Sequence, residues 1–209
     1  MEIKICGIRR DEDIEIVNKY KPDYIGFIFA PTRRYVSPET AKRLAENLNG
    51  DTKTVGVFVN ESPDTVREIA DTVGLDIIQL HGDEDSEYIK RLGTDREIWK
   101  AVRVKDGGEI PDTEGADKIL FDKYSEKEMG GTGETFNWLG VGDTKIKKPL
   151  ILAGGLNTEN VAEGIRIFKP VCVDVSSAVE TDGVKDEIKI KEFTETVRKL
   201  ENEQNRREI

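Results

Sequence analysis

The hydrophobic and polar positions of the chain follow two kinds of pattern that alternate along it. Short apolar or alternating runs predict strands, and longer stretches with apolar residues three or four apart predict helices. In the first run, residues 2–6, Ile3 and Ile5 share one face and Lys4 and Cys6 share the other. In a barrel with outer helices, the two isoleucines would face those helices, and Lys4 and Cys6 would face the interior.

Eight strands and six clear helices follow from these patterns. The predicted strands span residues 2–6, 23–29, 54–59, 76–80, 97–104, 118–121, 150–153 and 171–175. The predicted helices span residues 11–20, 38–48, 63–73, 84–92, 157–168 and 186–200, and a shorter one near 136–139 follows the glycine-rich loop 130–133. Residues 105–116 are charged and contain glycine, so a fifth helix in that segment would be short or irregular.

Strict alternation of strands and helices implies a parallel sheet with helices packed against it. Eight such units in 209 residues fit an α/β fold of one domain, a single (β/α)8 TIM barrel with eight parallel strands over residues 1–209. The main alternative is a doubly wound open sheet, but no Gly-x-Gly-x-x-Gly motif follows the first strand, which counts against a dinucleotide-binding fold. We expect the polar residues 202–209 to fray.

The composition of the chain limits the cellular compartment and the kinds of partner that we expect. No apolar stretch is long enough to span a membrane, and the N-terminal MEIKICGI has a strand pattern rather than that of a signal peptide. Two cysteines, Cys6 and Cys172, favour a reduced, cytoplasmic location. One histidine and no Cys-x-x-Cys pair leave no recognisable zinc cluster, so no metal site is predicted. The net charge of −10 argues against a nucleic-acid partner.

Two loops in the last third of the chain have the composition of a phosphate site. Gly154 and Gly155 follow the seventh strand, and Ser176 and Ser177 follow the eighth, where another helical turn can begin. The loops after strands seven and eight of a (β/α)8 barrel commonly bind phosphate through backbone N–H groups. The alternative is local: the glycines permit a tight turn and Ser176 caps a helix. Because both loops carry the pattern, we expect a phosphorylated small-molecule substrate.

Five polar residues stand at or just after the C-terminal ends of other predicted strands, where barrel enzymes carry their chemistry. They are Cys6, Arg34, Gln79, His81 and Asp122. Structural interpretations exist as well: a cysteine can be a small buried apolar residue, an arginine a solvated loop charge, and a histidine the cap of a turn. Asp122 could instead form an ion pair with Lys4 inside the barrel.

A thiol and a carboxyl group at one barrel mouth could act as base and acid. The cysteine would need its pKa, ordinarily about 8.5, lowered toward neutrality, and Lys4 on the same strand face is one candidate source of that shift. The carboxyl group of Asp122 would need protonation favoured by partial desolvation or by nearby negative charge. The residues therefore indicate proton transfer on a phosphorylated substrate without a metal or a nucleotide, and they do not identify the reaction.

Eight segments, in order along nearly the whole chain, resemble motifs of the phosphoribosylanthranilate isomerase family. They are KICGI, RRYVSPE, VGVFVN, IQLHGDE, FDK, GGTGETFNW, ILAGGLNTENV and VDVSSAVE. The resemblance implies a monofunctional (β/α)8 barrel of tryptophan biosynthesis, an intramolecular oxidoreductase of the aldose–ketose isomerase type. It would convert N-(5-phosphoribosyl)anthranilate to 1-(2-carboxyphenylamino)-1-deoxyribulose 5-phosphate by an Amadori rearrangement, without a cofactor.

The resemblance also implies roles for single residues. Cys6 would be the general base that removes the ribose C2 proton, Asp122 the general acid that protonates the ring oxygen, and Arg34 the partner of the anthranilate carboxylate. Substrate binding would further involve Gln79, His81, Gly154, Gly155, Ser176 and Ser177, the last four supplying backbone groups to the phosphate. Two departures from the family pattern are Ala178, where glycine is usual, and Phe121-Asp122-Lys123, where Leu-Asp-Ser or Leu-Asp-Thr is commoner.

Two other functions stay open at this point. The histidine-pathway aminoaldose isomerase is a related sugar-phosphate barrel, but it is expected to use two aspartates, and Cys6 argues against it. A non-catalytic barrel that binds a phosphorylated ligand is disfavoured by the joint presence of Cys6, Arg34 and Asp122. The oligomeric state is open between a monomer and a homodimer.

Overall fold

The computed structural model of the protein describes residues 1–104, 113–123 and 148–207. Eight parallel strands close into a barrel in chain order: β1 Glu2–Cys6, β2 Tyr24–Ile28, β3 Lys53–Phe58, β4 Ile77–Leu80, β5 Glu97–Val104, β6 Lys118–Lys123, β7 Leu150–Leu152 and β8 Cys172–Val175. The barrel closes because β1 pairs with both β2 and β8. The predicted parallel eight-stranded barrel is confirmed.

The described ranges contain six helices: α1 Asp11–Tyr20, α2 Pro38–Ala45, α3 Pro63–Val73, α4 Ser86–Leu92, α5 Val161–Phe168 and α6 Glu187–Arg207. None of these described helices is long and apolar enough to cross a membrane. After β8, a 3-10 turn at Ser177–Val179 leads into a hairpin of β9 Glu180–Thr181 and β10 Val184–Lys185, which the sequence patterns did not predict. The glycine-rich loop 130–133, the helix near 136–139 and most of the segment 105–116 lie outside the described residues.

Local signals explain where α2 and α3 begin. Each has a serine N-cap followed by a proline in the first helical turn. The Ser37 hydroxyl accepts a hydrogen bond from the N–H of Thr40, and the Ser62 hydroxyl accepts one from the N–H of Thr65. These bonds satisfy backbone donors that a helix start otherwise leaves unpaired. The predicted starts of both helices are therefore confirmed, and their cause is local.

Helix α2 ends at Ala45 instead of 48, and α4 begins at Ser86 instead of 84. Helices α5 and α6 differ from the predicted ranges as well. Helix α5 begins at Val161 instead of 157, because the Asn157 side chain accepts hydrogen bonds from the N–H groups of Glu159 and Asn160 and folds them into a turn. Helix α6 continues to Arg207, beyond residue 200, where its apolar periodicity ends. Fraying of residues 202–209 and a single domain over the full chain stay predictions.

Alternate residues of the strands separate an outer core from the barrel interior. Ile3 and Ile5 pack in the outer core with the helices, as predicted. The apolar cluster of the interior consists of Tyr24, Val55, Ile77, Trp99, Ala101, Leu120, Ile151 and Cys172. Lys4 is buried on the inner face, in register with Asp174 of β8. Cys172 thus packs in the core, and Lys4 faces the interior as predicted.

Candidate active site

A cavity of about 420 Å³ opens at the C-terminal ends of the strands. Its size is that of a site for a small molecule. All nine residues predicted to act on the substrate line this cavity: Cys6, Arg34, Gln79, His81, Asp122, Gly154, Gly155, Ser176 and Ser177. Ile28, Val57, Val59 and Leu156 add apolar walls that can cover an aromatic ring. The fold therefore brings the predicted residues together, and their separate roles stay predictions.

Cys6 is the last residue of β1, and it is buried, with 7% of its surface exposed. Its register partner Gly26 on β2 leaves room for the thiol, since a Cβ at that position would lie 2.7 Å from the Cys6 Sγ atom. The next residue, Gly7, has a φ of +88°, and a Cβ there would lie 2.8 Å from Cδ of Arg34. The two glycines allow the thiol and the arginine stem to pack closely against β1 and β2.

A buried ion pair lies below this thiol on the inner face of the barrel. The Lys4 Nζ atom donates a hydrogen bond of 2.8 Å to Oδ2 of Asp174, and both side chains are shielded from solvent. The interpretation that Lys4 pairs with Asp122 is wrong, because β8 is the strand beside β1 and its register sets Asp174 opposite Lys4. Burial lowers the pKa of Lys4, but the charge and the hydrogen bond of the Asp174 carboxylate raise it. The net shift of the pKa is upward, and Lys4 remains charged.

The thiol of Cys6 responds to several charges at once. Burial raises its pKa, and the positive charges of Lys4 and Lys185 oppose that rise while the Asp174 carboxylate adds to it. The net shift of the Cys6 pKa is upward. Lys4 therefore acts in the direction considered above, but its effect does not bring the pKa of the thiol down toward neutrality, as a base would need.

Asp122, on β6, forms a hydrogen-bonded chain with two residues at the end of β4. Its Oδ2 atom lies 2.9 Å from Nε2 of His81, and Nδ1 of the same imidazole lies 2.8 Å from Nε2 of Gln79. Gln79 is buried, whereas the His81 and Asp122 side chains retain 20% and 13% of their surface exposed. The imidazole therefore contacts the proposed acid instead of capping the turn that follows β4.

The loop that carries His81 is fixed from behind by a buried lysine. The Lys100 Nζ atom donates to the carbonyl of Gly82 at 2.6 Å and to Oε2 of Glu84 at 3.0 Å. The Glu84 carboxylate in turn accepts hydrogen bonds from the N–H groups of Asn60 and Gly82. These contacts join β5 to the main chain just after β3 and β4, so they fix the backbone next to His81, while the imidazole itself is held by Gln79 and Asp122.

Arg34 is held at the opposite side of the cavity by a carboxylate that the sequence analysis did not assign. Its Nε and Nη2 atoms donate to the two oxygens of Glu180 at 2.7 and 3.0 Å. The Lys185 Nζ atom binds the same carboxylate at 2.9 Å and the Ser176 carbonyl at 3.0 Å. Burial raises the pKa of Glu180, but the hydrogen bond from Arg34 and the charge of Lys185 outweigh it and lower the pKa to about 2.

Three residues that support the site were therefore missed: Asp174, Glu180 and Lys185. A signal existed for Asp174, because a carboxyl group in the apolar run of β8 shares the inner face with Cys172. Glu180 closes the segment VDVSSAVE, so the motif contained it without assigning it a role. For Lys185 the chain offers no local signal, since its hairpin has no apolar periodicity.

The two loops predicted to bind phosphate both reach the cavity wall. Gly154 and Gly155 have φ values of 79° and 76°, which only glycine adopts readily. The Asn160 side-chain amide donates to the carbonyl of Gly155 at 3.0 Å and turns that oxygen toward α5. The Ser176 hydroxyl donates to the carbonyl of Cys6 at 3.0 Å, which joins the end of β8 to the end of β1.

Comparison with known proteins agrees with this geometry. Residues 3–196 match the family model of N-(5'phosphoribosyl)anthranilate (PRA) isomerase. An N-(5'-phosphoribosyl)anthranilate isomerase of Clostridium acetobutylicum is 52% identical over 204 residues, which cover 96% of this chain and 99% of the relative. The crystal structure of phosphoribosyl anthranilate isomerase from Thermus thermophilus is similar with a TM-score of 0.85 and 29% identity, covering 96% of this chain and all of that one.

A further solved structure shows a phosphoribosyl anthranilate isomerase in complex with reduced 1-(o-carboxyphenylamino)-1-deoxyribulose 5-phosphate. It is similar to this chain with a TM-score of 0.79 and 36% identity, and the match covers 95% of this chain and 98% of the other. Nearly the full length of the chain is thus shared with proteins of one activity. The chain belongs to the phosphoribosylanthranilate isomerase family.

Proposed function

We propose that Cys6 is the general base and Asp122 the general acid in the isomerisation of N-(5-phosphoribosyl)anthranilate to 1-(2-carboxyphenylamino)-1-deoxyribulose 5-phosphate. The chain is a phosphoribosylanthranilate isomerase of tryptophan biosynthesis by its family. The observation that carries the assignment of the two groups is their position: Cys6 on β1 and Asp122 on β6 line one cavity at the same end of the barrel.

The first step opens the ribose ring. The protonated carboxyl group of Asp122 gives its proton to the ring oxygen while the bond between that oxygen and C1 breaks. The lone pair of the anthranilate nitrogen forms the second bond to C1, which gives a Schiff base. Asp122 is left as a carboxylate, and the cavity supports this change because Asp122 is only partly buried.

The second step removes the proton from C2. The thiolate of Cys6 takes this proton, and the electrons of the C–H bond move toward the Schiff base to give an enolamine. The enolamine becomes the ketone when C1 takes up a proton and the C2 hydroxyl loses one. Because burial raises the pKa of Cys6, formation of the thiolate needs nearby positive charge. Lys4 and Lys185 are cations that oppose the rise, so we assign them to the stabilisation of the thiolate.

Binding places the two ends of the substrate on different walls. The anthranilate carboxylate would pair with Arg34, whose guanidinium is already oriented by Glu180. The phosphate would bind main-chain groups of Gly154, Gly155, Ser176 and Ser177. The hydroxyl of Ser176 is not part of this set, because it donates to the Cys6 carbonyl. The ribose then lies between Cys6 and Asp122.

In the proposed reaction Cys6 and Asp122 provide the general base and the general acid, so we propose neither a metal nor a cofactor. The partner is a phosphorylated small molecule, and we propose neither a nucleic-acid nor a membrane partner. We propose a cytoplasmic location, because the chain's two cysteines favour a reducing compartment. Size-exclusion chromatography with light scattering decides whether the protein is a monomer or a homodimer.

The test compares Cys6→Ala and Asp122→Asn with the parent protein in a turnover assay. Each variant should lose a factor of about 10²–10⁴ in kcat while its circular dichroism spectrum stays unchanged. The matched control is Cys172→Ala, which removes the other thiol from the barrel interior and should leave kcat within about threefold of the parent. Near-normal turnover in Cys6→Ala or Asp122→Asn would remove the role assigned to that residue.

A further inference from the structure

We propose that His81 acts on the reaction through Asp122, as a positioning residue that aligns the carboxyl group and shares its proton, and does not bind the substrate. This inference rests on the proposed role of Asp122 as the general acid. The geometry behind it is the hydrogen-bonded chain from Gln79 through the imidazole to Asp122. A residue whose two ring nitrogens both face protein groups has none left for a ligand.

The reaction needs a carboxyl group that carries a proton near neutral pH. A carboxyl group of ordinary pKa, about 3.9, is protonated in roughly one molecule in a thousand at pH 7. An imidazole and a carboxyl group in hydrogen-bond contact take up protons as a pair, so the proton that enters the pair is available to either member. At 2.9 Å between Nε2 and Oδ2, His81 and Asp122 meet this condition.

Gln79 can support both forms of the pair. In the structure its Nε2 atom lies against Nδ1 of His81, while its Oε1 atom is buried and has no hydrogen-bond partner among the described residues. With this orientation the amide donates to Nδ1, and Nε2–H of the imidazole donates to the Asp122 carboxylate. Rotating the amide by half a turn gives Oε1 a partner in Nδ1–H, and Nε2 then accepts the proton of the Asp122 acid.

Every proton in the ring-opening step can be accounted for. Before ring opening the pair holds one shared proton between Nε2 and Oδ2, and Nδ1–H donates to Gln79. The Asp122 acid gives the shared proton to the ring oxygen as the bond from that oxygen to C1 breaks, which leaves a carboxylate beside a neutral imidazole. The pair then takes up a proton from water, to which both side chains are exposed. No oxidant, reductant or metal enters the step.

Among the described residues, the charged groups near the pair are consistent with this use. The Nη2 atom of Arg103 lies 3.4 Å from the main-chain carbonyl of His81 and so approaches the backbone instead of the ring. Asp174 also lines the cavity, but its Oδ2 atom is engaged by Lys4. Lys100 and Glu84 fix the main chain behind His81, and Gln79 and Asp122 hold the imidazole itself without help from a ligand.

The experiment measures kcat and KM for His81→Ala and His81→Gln, with Asp83→Asn as the matched control. The control carboxylate lies in the same loop, its side chain is 83% exposed, and it does not line the cavity, so its kcat and KM should stay within about twofold of the parent. We expect both His81 variants to lose a factor of about 10–10² in kcat with KM changed less than about threefold. Adding imidazole to His81→Ala should restore part of kcat.

The double variant His81→Ala with Asp122→Asn separates this inference from the proposed function. If His81 works through Asp122, the double variant is no slower than Asp122→Asn alone. A rise in KM at unchanged kcat in the His81 variants, full additivity in the double variant, or no response to imidazole would overturn the inference. If Asp122→Asn had normal turnover, the assignment of Asp122 as the general acid would be wrong. If Asp122→Asn were inactive but both His81 variants had normal turnover, only the inference about His81 would be wrong.

Discussion

Glu180 is the carboxylate that holds Arg34 and Lys185 together, and replacing it by glutamine tests that arrangement. Glu180→Gln keeps the size of the side chain and removes its charge. The Lys185 ammonium and the Arg34 guanidinium, with 1% and 11% of their side chains exposed, would then lie side by side without their counter-charge. Breaking a buried ion pair on one side leaves an uncompensated charge, which destabilises the folded state.

The magnitude follows from the pKa of Glu180. Burial raises that pKa, and the stronger opposing effects of Arg34 and Lys185 lower it from 4.5 to about 2. A carboxyl group with a lower pKa in the folded state stabilises the fold above its unfolded pKa, and this stabilisation is lost as the pH falls toward the folded pKa. A shift of this size corresponds to at most about 3 kcal/mol at pH 7. Glu180 also pairs with Arg33, whose side chain is 61% exposed, so solvent screens part of this energy and we expect about 2 kcal/mol.

The assay is urea unfolding followed by circular dichroism at pH 7 and at pH 3. Glu180→Gln should lose about 2 kcal/mol of unfolding free energy at pH 7, and its difference from the parent should fall to less than half at pH 3. The matched control is Glu187→Gln, because Glu187 pairs with Lys19 at 2.6 Å on the surface, where both side chains are about half exposed. That variant should show a much smaller loss.

The refuting result is a loss of equal size at both pH values. It would mean that packing or hydrogen bonding of the Glu180 side chain, and not its charge, stabilises the fold. Turnover gives a second readout, because Arg34 loses the two bonds that orient it. We expect KM of Glu180→Gln to rise by about tenfold with a smaller change in kcat, as for a residue that orients a binding group.

Two further substitutions test the surroundings of Cys6. Gly26→Ala places a Cβ 2.7 Å from Sγ and 3.2 Å from Cα of Cys6, so unfolding free energy should fall by about 1–3 kcal/mol and kcat should drop, as urea unfolding and turnover will measure. Lys4→Met leaves the Asp174 carboxylate buried without its partner, which should cost about 3–5 kcal/mol of stability. Because Lys4 opposes the upward shift of the Cys6 pKa, the pH of half-maximal turnover should also rise in Lys4→Met; an unchanged pH profile would contradict this.

Much of the fold could be predicted because its signals are local. The Ser-Pro starts of α2 and α3 depend on one hydrogen bond each, between residues three positions apart. The ends of α3 and α4 coincide with Gly74 and Gly93, both at positive φ. Periodicity failed where a side chain competed with the backbone, as Asn157 does before α5. It also failed where helix propensity continued without apolar residues, as in the last turns of α6.

The catalytic candidates could also be predicted, because the end of a strand is a local property and the rule for barrels places it at one rim. Their partners could not be read in the same way. The Lys4–Asp174 bond joins residues 170 positions apart, and the Arg34–Glu180 bonds join residues 146 positions apart. The position of Asp174 could have been predicted, because closure of the barrel puts β8 beside β1 and the alternation of side chains puts Asp174 on the inner face. Glu180 and Lys185 depend on a hairpin with no pattern of its own.

These partners, distant in the sequence, determine the electrostatic environment of the Cys6 thiol. The buried charged groups described above on the Cys6 side of the cavity are three cations, Lys4, Arg34 and Lys185, and two carboxylates, Asp174 and Glu180. Each carboxylate is bonded to at least one of the cations. Of these cations, Lys4 and Lys185 oppose the rise of the Cys6 pKa, whereas Arg34 is the proposed partner of the anthranilate carboxylate. The arrangement therefore favours proton removal by Cys6 more than burial of the thiol alone would allow.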